Sequence, residues 1–257
     1  MKPAFIITSA INTNVGVYSP EARIMQTHAT IDSILREYPD ALTVLVEGGK
    51  AIPETTPLGQ QFNVLKNRVN VTLNMASNAQ IIHLHEQFFD QIKTKNEMGG
   101  TTGLSKTVGE LTLFAATLDA IRNNEQCAPI LECDRVFKIS GRYQLSPLFN
   151  KDVYVDPSNL DKFIFRQADK SWMGDALEKI GVEYGFASRL WSFPTSRIDE
   201  TIEKFTDMIQ DCVQVSLNSY IDIEHLLYKF FNGDNVTQLD HTHLMGTIAP
   251  NGVMVYD

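Results

Sequence analysis

The sequence predicts an α/β fold: a mixed, mostly parallel sheet flanked by helices, followed after about residue 150 by an α+β portion. Three observations carry this expectation. Short apolar runs alternate with helical stretches throughout the first half, as parallel strands joined by crossover helices require. A strong helix start, Ser19-Pro20-Glu21, stands between two of those runs. Beyond residue 150 the pattern changes to mixed apolar and polar strands with one long helix. The 257-residue length fits one large domain with a shared core. The expected organisation is a single domain, with residues 1–150 as one half and 151–257 as the other.

Phe5-Ile6-Ile7, ending in Thr8-Ser9, suits a buried parallel strand. Ser19 is placed to cap the first helix, with Pro20 at its first position and an acid in its first turn. Ile24, Ile31, Leu35 and Tyr38 recur at helical spacing, and Pro39-Asp40 ends the run. Leu42 to Val46 is the second strand, closed by Glu47-Gly48-Gly49. A helix is expected around residues 60–73 and a third strand at Ile81-Ile82-His83-Leu84. Gly99 to Gly103 reads as a loop, with Ser105 capping a helix to about Ile121. Arg135 to Ser140 is a fourth strand. Residues 162–166 and 185–193 are strand-like, Ser196 caps a long helix, and a second helix spans Ile223 to Phe231. Pro250-Asn251-Gly252 is a turn between short final strands.

Composition excludes several classes. Hydrophobic residues are 43% and charged residues 21%, so the chain is not a disordered polymer. A formal net charge of −9 opposes bulk binding to nucleic acid or anionic membrane. No apolar run approaches the roughly 18 residues of a membrane span. The apolar stretch near Met1 is too short for a signal peptide, and Cys127, Cys133 and Cys212 form no C-x-x-C. Both features lead to the expectation of a cytoplasmic protein with reduced thiols.

Ligands of open α/β sheets bind at the carboxyl ends of the strands. Here those ends carry Thr8-Ser9-Ala10, Glu47-Gly48, His83-Leu84-His85-Glu86 and Ser140-Gly141-Arg142-Tyr143. Hydroxyls at the first can hold a base or ribose, and Glu47 can accept from ribose hydroxyls. The bland reading is that they only finish strands. Lys138 and Arg142 flank a glycine, and the Arg fork suits phosphate oxygens. A diphosphate leaving group can be neutralised there. The alternative is a turn whose Arg pairs with a surface carboxylate. There is no G-x-G-x-x-G, no phosphate-binding G-x-x-x-x-G-K-[ST] and no G-x-S-x-G.

Two H-x-H pairs offer a rival. His83 and His85 with Glu86, and His241 and His243 with Asp240, can each hold a metal from one strand face. Together they describe a metal-dependent hydrolase. With six His in the chain, such pairs also arise by chance.

Several stretches carry a resemblance: Ile6 to Ala10; Tyr18 to Arg23 with Gln26-Thr27 and Ser33-Ile34; Pro39-Asp40-Ala41; Lys106 with Gly109-Glu110; Phe137 to Tyr143; and Ile223 to Tyr228. In these the chain resembles GT-A-type glycosyltransferase-like proteins of bacterial polysaccharide loci and of phage and large-virus genomes. The resemblance implies a GT-A-like nucleotide-diphospho-sugar transferase fold, with a nucleotide-sugar donor on the first half and an acceptor site on the second. It implies transfer of a sugar to a hydroxyl of a glycan or glycoprotein acceptor. Thr8, Ser9, Ala10 and Glu47 would contact the nucleoside. Lys138, Ser140, Gly141 and Arg142 would meet the diphosphate, assisted by Lys106. Such enzymes usually hold Mn²⁺ or Mg²⁺ on a D-x-D, whereas the matching place here is Ser140-Gly141-Arg142. Either the cations replace the metal, or other residues supply it, with His241 and His243 as candidates. A carboxylate base near the start of a late helix points to Glu224, with His225 beside it. Asp222 reads more simply as that helix's N-cap. Trp172 is the preferred aromatic on the acceptor side, while Tyr154, Tyr184, Trp191 and Phe193 mostly read as packing. A third possibility is a non-catalytic nucleotide-sugar or glycan-binding protein on the same fold.

Overall fold

The computed structural model describes residues 1–13, 17–76, 78–79, 100–171, 173–174, 181–216, 219–247 and 252–257; side chains of 100–105 and 216 are outside the description. In chain order the strands are β1 Pro3–Ser9, β2 Leu42–Glu47, β3 Val71–Asn74, β4 Arg135–Ser140, β5 Tyr143–Leu145, β6 Phe163–Arg166, β7 Asp169–Lys170, β8 Tyr184–Gly185, β9 Leu190–Pro194, β10 Val236–Leu239, β11 Leu244–Thr247 and β12 Met254–Tyr256. The principal helices are α1 Pro20–Glu37, α2 Pro57–Lys66, α3 Gly100–Asn123, α4 Ile198–Ser216 and α5 Ile223–Phe231.

Seven strands form the main sheet in the order β10-β6-β9-β4-β1-β2-β3. Only β9 runs antiparallel to its neighbours β4 and β6. The two halves therefore share one sheet: β6, β9 and β10 extend the edge that β4 begins. A three-stranded antiparallel sheet, β12-β11-β5, and the β7-β8 pair complete the strands.

Alternation along the strands sends side chains to two separate cores. Phe5, Ile7, Phe137 and Ile139 pack with Ile24, Ile31 and Ile34 of α1 and Phe62 of α2. Ala4, Ile6, Val44 and Val136 pack on the other face with Leu111 and Phe114 of α3, Phe205 of α4 and Leu226 of α5. Phe165, Trp191 and Phe205 stack within this second core, with Trp191 only 2% exposed. Trp191, Phe193 and Tyr154 are thus core residues. Arg135 is buried as well, and its guanidinium donates to the carbonyls of Asn159, Leu160 and Lys162 and to Ser192 Oγ.

The helix starts follow the sequence signals. Ser19 and Thr56 accept from the amides of Ala22 and Gly59, each followed by a proline at the first helical position. Three element boundaries differ from expectation. Ser196 does not cap the long helix; it lies inside a 3-10 turn, Thr195–Arg197, that leads into α4 at Ile198. The helix expected over 60–73 ends at Lys66, and its last residues form β3 beside β2. Edge pairing satisfies the backbone of Val71 to Asn74, and that outweighs a weak helical periodicity. The stretch read as a loop from Gly100 is the first turn of α3. The expected strand at 81–84, with His83, His85 and Glu86, lies outside the described residues.

Candidate active site

Parallel pairing sets the carboxyl ends of β1, β2 and β4 side by side: Ser9 lies opposite Glu47, and Thr8 opposite Ser140. Three polar clusters stand along this edge.

The first is centred on Glu47, which is 1% exposed. Ser9 Oγ donates to its Oε2 at 2.8 Å, and the amides of Ile11 and Gly49 donate to Oε1 at 2.9 and 2.7 Å. Burial pushes this carboxyl up; those three donors and the Arg23 guanidinium pull partly against it. Glu47 ties the loop after β1 to the loop after β2. The expected contact from Glu47 to a nucleoside is not available, because its oxygens are enclosed by the protein's own donors. Ser9 is likewise turned to Glu47, while Thr8 and Ala10 are half-buried and use their carbonyls on Gly141 N and Arg23.

The second cluster lies on the α3 face of β4. Val136, Lys138 and Ser140 share that face, so a lysine points into an otherwise apolar layer. Lys138 is 2% exposed. Its Nζ donates to Glu110 Oε1 at 2.9 Å, Ser140 Oγ at 3.0 Å and the Ser188 carbonyl at 2.6 Å. An ammonium has three donors, and all are used. Lys138 therefore does not reach out to a diphosphate as the sequence suggested; it positions Glu110. Burial pushes the Glu110 carboxyl up, but Lys138, Lys106 and Arg142 together outweigh it and hold Glu110 below its ordinary value.

The third cluster begins α5. Asp222 is the N-cap, accepting from the His225 amide at 3.0 Å. It also meets His225 Nδ1, and His225 Nε2 is buried without a partner. His225 is only 3% exposed, which removes it as a base for a substrate hydroxyl. Glu224 is half-buried and accepts from Ser188 Oγ at 2.7 Å. Burial, then the nearby negative charges of Asp222 and Glu110, raise its carboxyl above the ordinary value, against the pull of Ser188 and Lys106. Ser188 joins the second and third clusters, because its carbonyl meets Lys138 and its hydroxyl meets Glu224.

Arg142 stands at the tip of β4. Its Nε is buried with no hydrogen-bond partner, and its guanidinium lies 5.9 Å from the Tyr143 ring centre. Its charge reaches Arg23 and Glu110. Gly141 lets the chain turn there: a Cβ at this residue would lie 3.1 Å from Thr27 Oγ1. Gly246 of β11 presses still closer, since a Cβ would sit 2.5 Å from the Arg142 carbonyl oxygen. Gly246→Ala is expected to cost about 2 kcal/mol by overpacking, read as a lowered denaturation midpoint, and to displace Arg142.

Trp172 lies outside the described residues. His241 and His243 sit beyond β10, three strands from β4. Among the described residues, no group of three or more His, Cys, Asp or Glu is gathered to hold a metal. At the end of β4, Ser140 and a single carboxylate, Glu110, are met by the Lys138 ammonium and face the charges of Lys106 and Arg142, a cationic set that does not fit a divalent ion. Glu110 and Ser188 are the members that sequence reasoning left out. Glu110 had a readable signal, because Lys106 and Glu110 are one helical turn apart and share a face. Ser188 had none.

No protein-family model and no curated protein sequence matches the chain. Solved structures do match. Core-mannan synthase A from Aspergillus fumigatus, in its Mn/GDP form, aligns over 98% of this chain and 77% of its own, with a TM-score of 0.53 and 8% identity. Mouse xyloside xylosyltransferase 1 aligns over 93% of this chain and 84% of its own, at TM-score 0.46 and 10% identity. The galactosyltransferase LgtC, with donor and acceptor sugar analogues, aligns over 93% and 73%, at 0.44 and 14%. The mannan synthase likeness and the strand order together define the chain as a GT-A fold, a mostly parallel mixed sheet flanked by helices. Among the described residues, no helix is long and apolar enough to cross a membrane.

Proposed function

We propose that this protein is a glycosyltransferase that moves a sugar from a nucleotide-sugar donor to a hydroxyl on a glycan or glycoprotein, within the group it resembles from polysaccharide and viral loci. One juxtaposition carries the reading: the guanidinium of Arg142, whose Nε is buried and unpartnered, and the half-buried carboxyl of Glu224 both act electrostatically on Glu110 near the carboxyl edge of the sheet. A buried donor without an acceptor is rare and costly, so a ligand oxygen is its natural complement. The donor diphosphate would supply it.

In this mechanism Glu224 takes the proton of the acceptor hydroxyl as that oxygen bonds to the anomeric carbon. The bond from that carbon to the diphosphate oxygen breaks, and the nucleoside diphosphate leaves with the bonding pair. Arg142, with the exposed Lys106 contributing charge from α3, stabilises the growing negative charge. Lys138 and Ser188 position the two carboxylates. The diphosphate is then neutralised by side chains, without a divalent ion.

Calorimetric titration of UDP, GDP, CDP and their sugars, with Mn²⁺ and again with EDTA, tests the reading. Binding of one nucleotide family should persist in EDTA. Arg142→Ala should weaken it about 10- to 100-fold, the worth of one charged hydrogen-bonding group. Binding that requires Mn²⁺ would overturn the metal-free clamp. No binding of any nucleotide would remove the transferase reading, and binding without turnover of any donor would leave a nucleotide-sugar receptor on the same fold.

A further inference from the structure

At the β10 edge, the same end of the sheet carries a pocket of about 340 Å³. It opens on the α1 face, whereas Lys138 and Glu110 belong to the α3 face. Tyr154 contributes to its floor, and Asn150, Gln238, Asp240, His241 and His243 to its walls. The pocket lies on the opposite face of the sheet from Lys138 and Glu110, although its Tyr154 packs 4.8 Å from Phe137 of β4 and its His243 carbonyl accepts from Ser146 just beyond β5.

Its backbone is unusual. Among the described residues, His243 is the only one besides glycine with a left-handed backbone, at φ 54°. Glycine or asparagine normally takes such positions, because a larger side chain crowds the backbone there. The loop enforces the conformation. The His243 carbonyl accepts from Ser146 N at 2.9 Å, and the Thr242 hydroxyl donates to the carboxylate of Asp257, which also holds Arg166 at 2.7 Å. The turn aims two imidazoles into one place, their ring centres 5.8 Å apart. Strain of this kind gathers at binding sites.

The chemistry of the walls narrows the ligand. The amides of Asn150 and Gln238, whose oxygens already accept from Asp152 N and Ala168 N, supply donors, and two imidazoles and a carboxylate supply acceptors, over an aromatic floor. No Lys or Arg lines the pocket, so phosphate and carboxylate ligands have no fixed countercharge. The volume stands at the low end for small-molecule sites. A small, uncharged, hydroxyl-rich ring matches all three properties. We propose that this pocket binds a neutral sugar residue. Its use as an outer subsite for the acceptor glycan rests on the glycosyltransferase reading; the binding itself does not.

The test follows histidine ring signals by NMR in the full chain, with His241→Ala and His243→Gly providing assignments. Methyl glycosides of glucose, galactose, mannose and N-acetylglucosamine are the probes, with glycerol as control and Zn²⁺ as the competing arm. At least one glycoside should shift the His241 and His243 signals with a saturable, millimolar response. His243→Gly keeps the left-handed turn and removes the ring, so it should fold normally and lose that response, as should His241→Ala. Glycosides that act no differently from glycerol would overturn the proposal. A response to Zn²⁺ alone would overturn it too and assign a metal site. Saccharide binding here without any nucleotide binding at Arg142 would keep the pocket and discard its acceptor role.

Discussion

Glu224→Gln is expected to reduce sugar transfer about 10²- to 10⁴-fold, the usual worth of a positioned general base. Donor binding should be nearly unchanged. Glutamine keeps the shape and can still accept from Ser188, so the variant removes the proton acceptor and little else. The pH dependence gives an independent check. Burial together with Asp222 and Glu110 raises the Glu224 carboxyl, so the acidic limb of the rate profile should lie above the ordinary carboxylate range. The stability effect has the opposite sign to the activity effect. A carboxyl raised in the folded state stabilises the protein while it is protonated, below its unfolded value, and that contribution is lost as pH rises through the folded value. At neutral pH the ionised Glu224 is thus a burden, and Glu224→Gln should melt at a higher temperature than wild type. The difference should close on acidification. A variant that keeps full activity would dismiss Glu224 as the base. One that is inactive and also less stable at neutral pH would point to a structural role instead.

The sheet was legible because its strands are short apolar runs bounded by caps and glycines. Ser19-Pro20 and Asp222 marked helix starts that the side chains then made. Misreadings came where local pattern met tertiary pairing. Val71 to Asn74 carries no strong strand signal of its own and becomes a strand because β2 offers an edge. That is a property of the neighbour rather than of the segment.

The gathering of polar residues at one sheet edge was legible, and the partners of each were not. Reading polar residues at strand ends pointed to Arg142, Lys138 and Ser140, whereas Glu224, in the first turn of α5, came only from the resemblance. Sequence alone does not say which way a lysine points or how many acceptors wait for it. Lys138 and Arg142 look alike as cations flanking a glycine, yet they differ in burial and partners. Lys138 alternates onto a face where Glu110 and Ser188 take all its donors, whereas Arg142 leaves the strand and keeps a donor unused. Glu47 is the mirror case: an acid at a strand end, turned inward by three donors from the loops it joins.

Lys138→Met should therefore act first on folding. The variant fills a similar volume but removes the ammonium hydrogen-bonded to Glu110, leaving only the more distant charges of Lys106 and Arg142 to balance it. Breaking a buried pair from one side typically costs about 3–5 kcal/mol. Glu110 is partly open, with its side chain 21% exposed, so the lower end, about 3 kcal/mol, is expected. Denaturant unfolding at neutral pH measures it. The double variant Lys138→Met, Glu110→Gln removes both charges and should recover most of the loss. Acid separates the two further. A carboxyl held below its ordinary value stabilises the fold above its unfolded value, and that support is lost as pH falls through the folded value. Wild type should lose stability over that interval, while the double variant should show a flatter profile. If Lys138→Met is as stable as wild type, the pair is not what holds β4 to α3. If the double variant folds well but Glu224 titrates nearer its ordinary value, Glu110 is established as one of the charges that raise it, and the Lys138 ammonium as what keeps that charge in place.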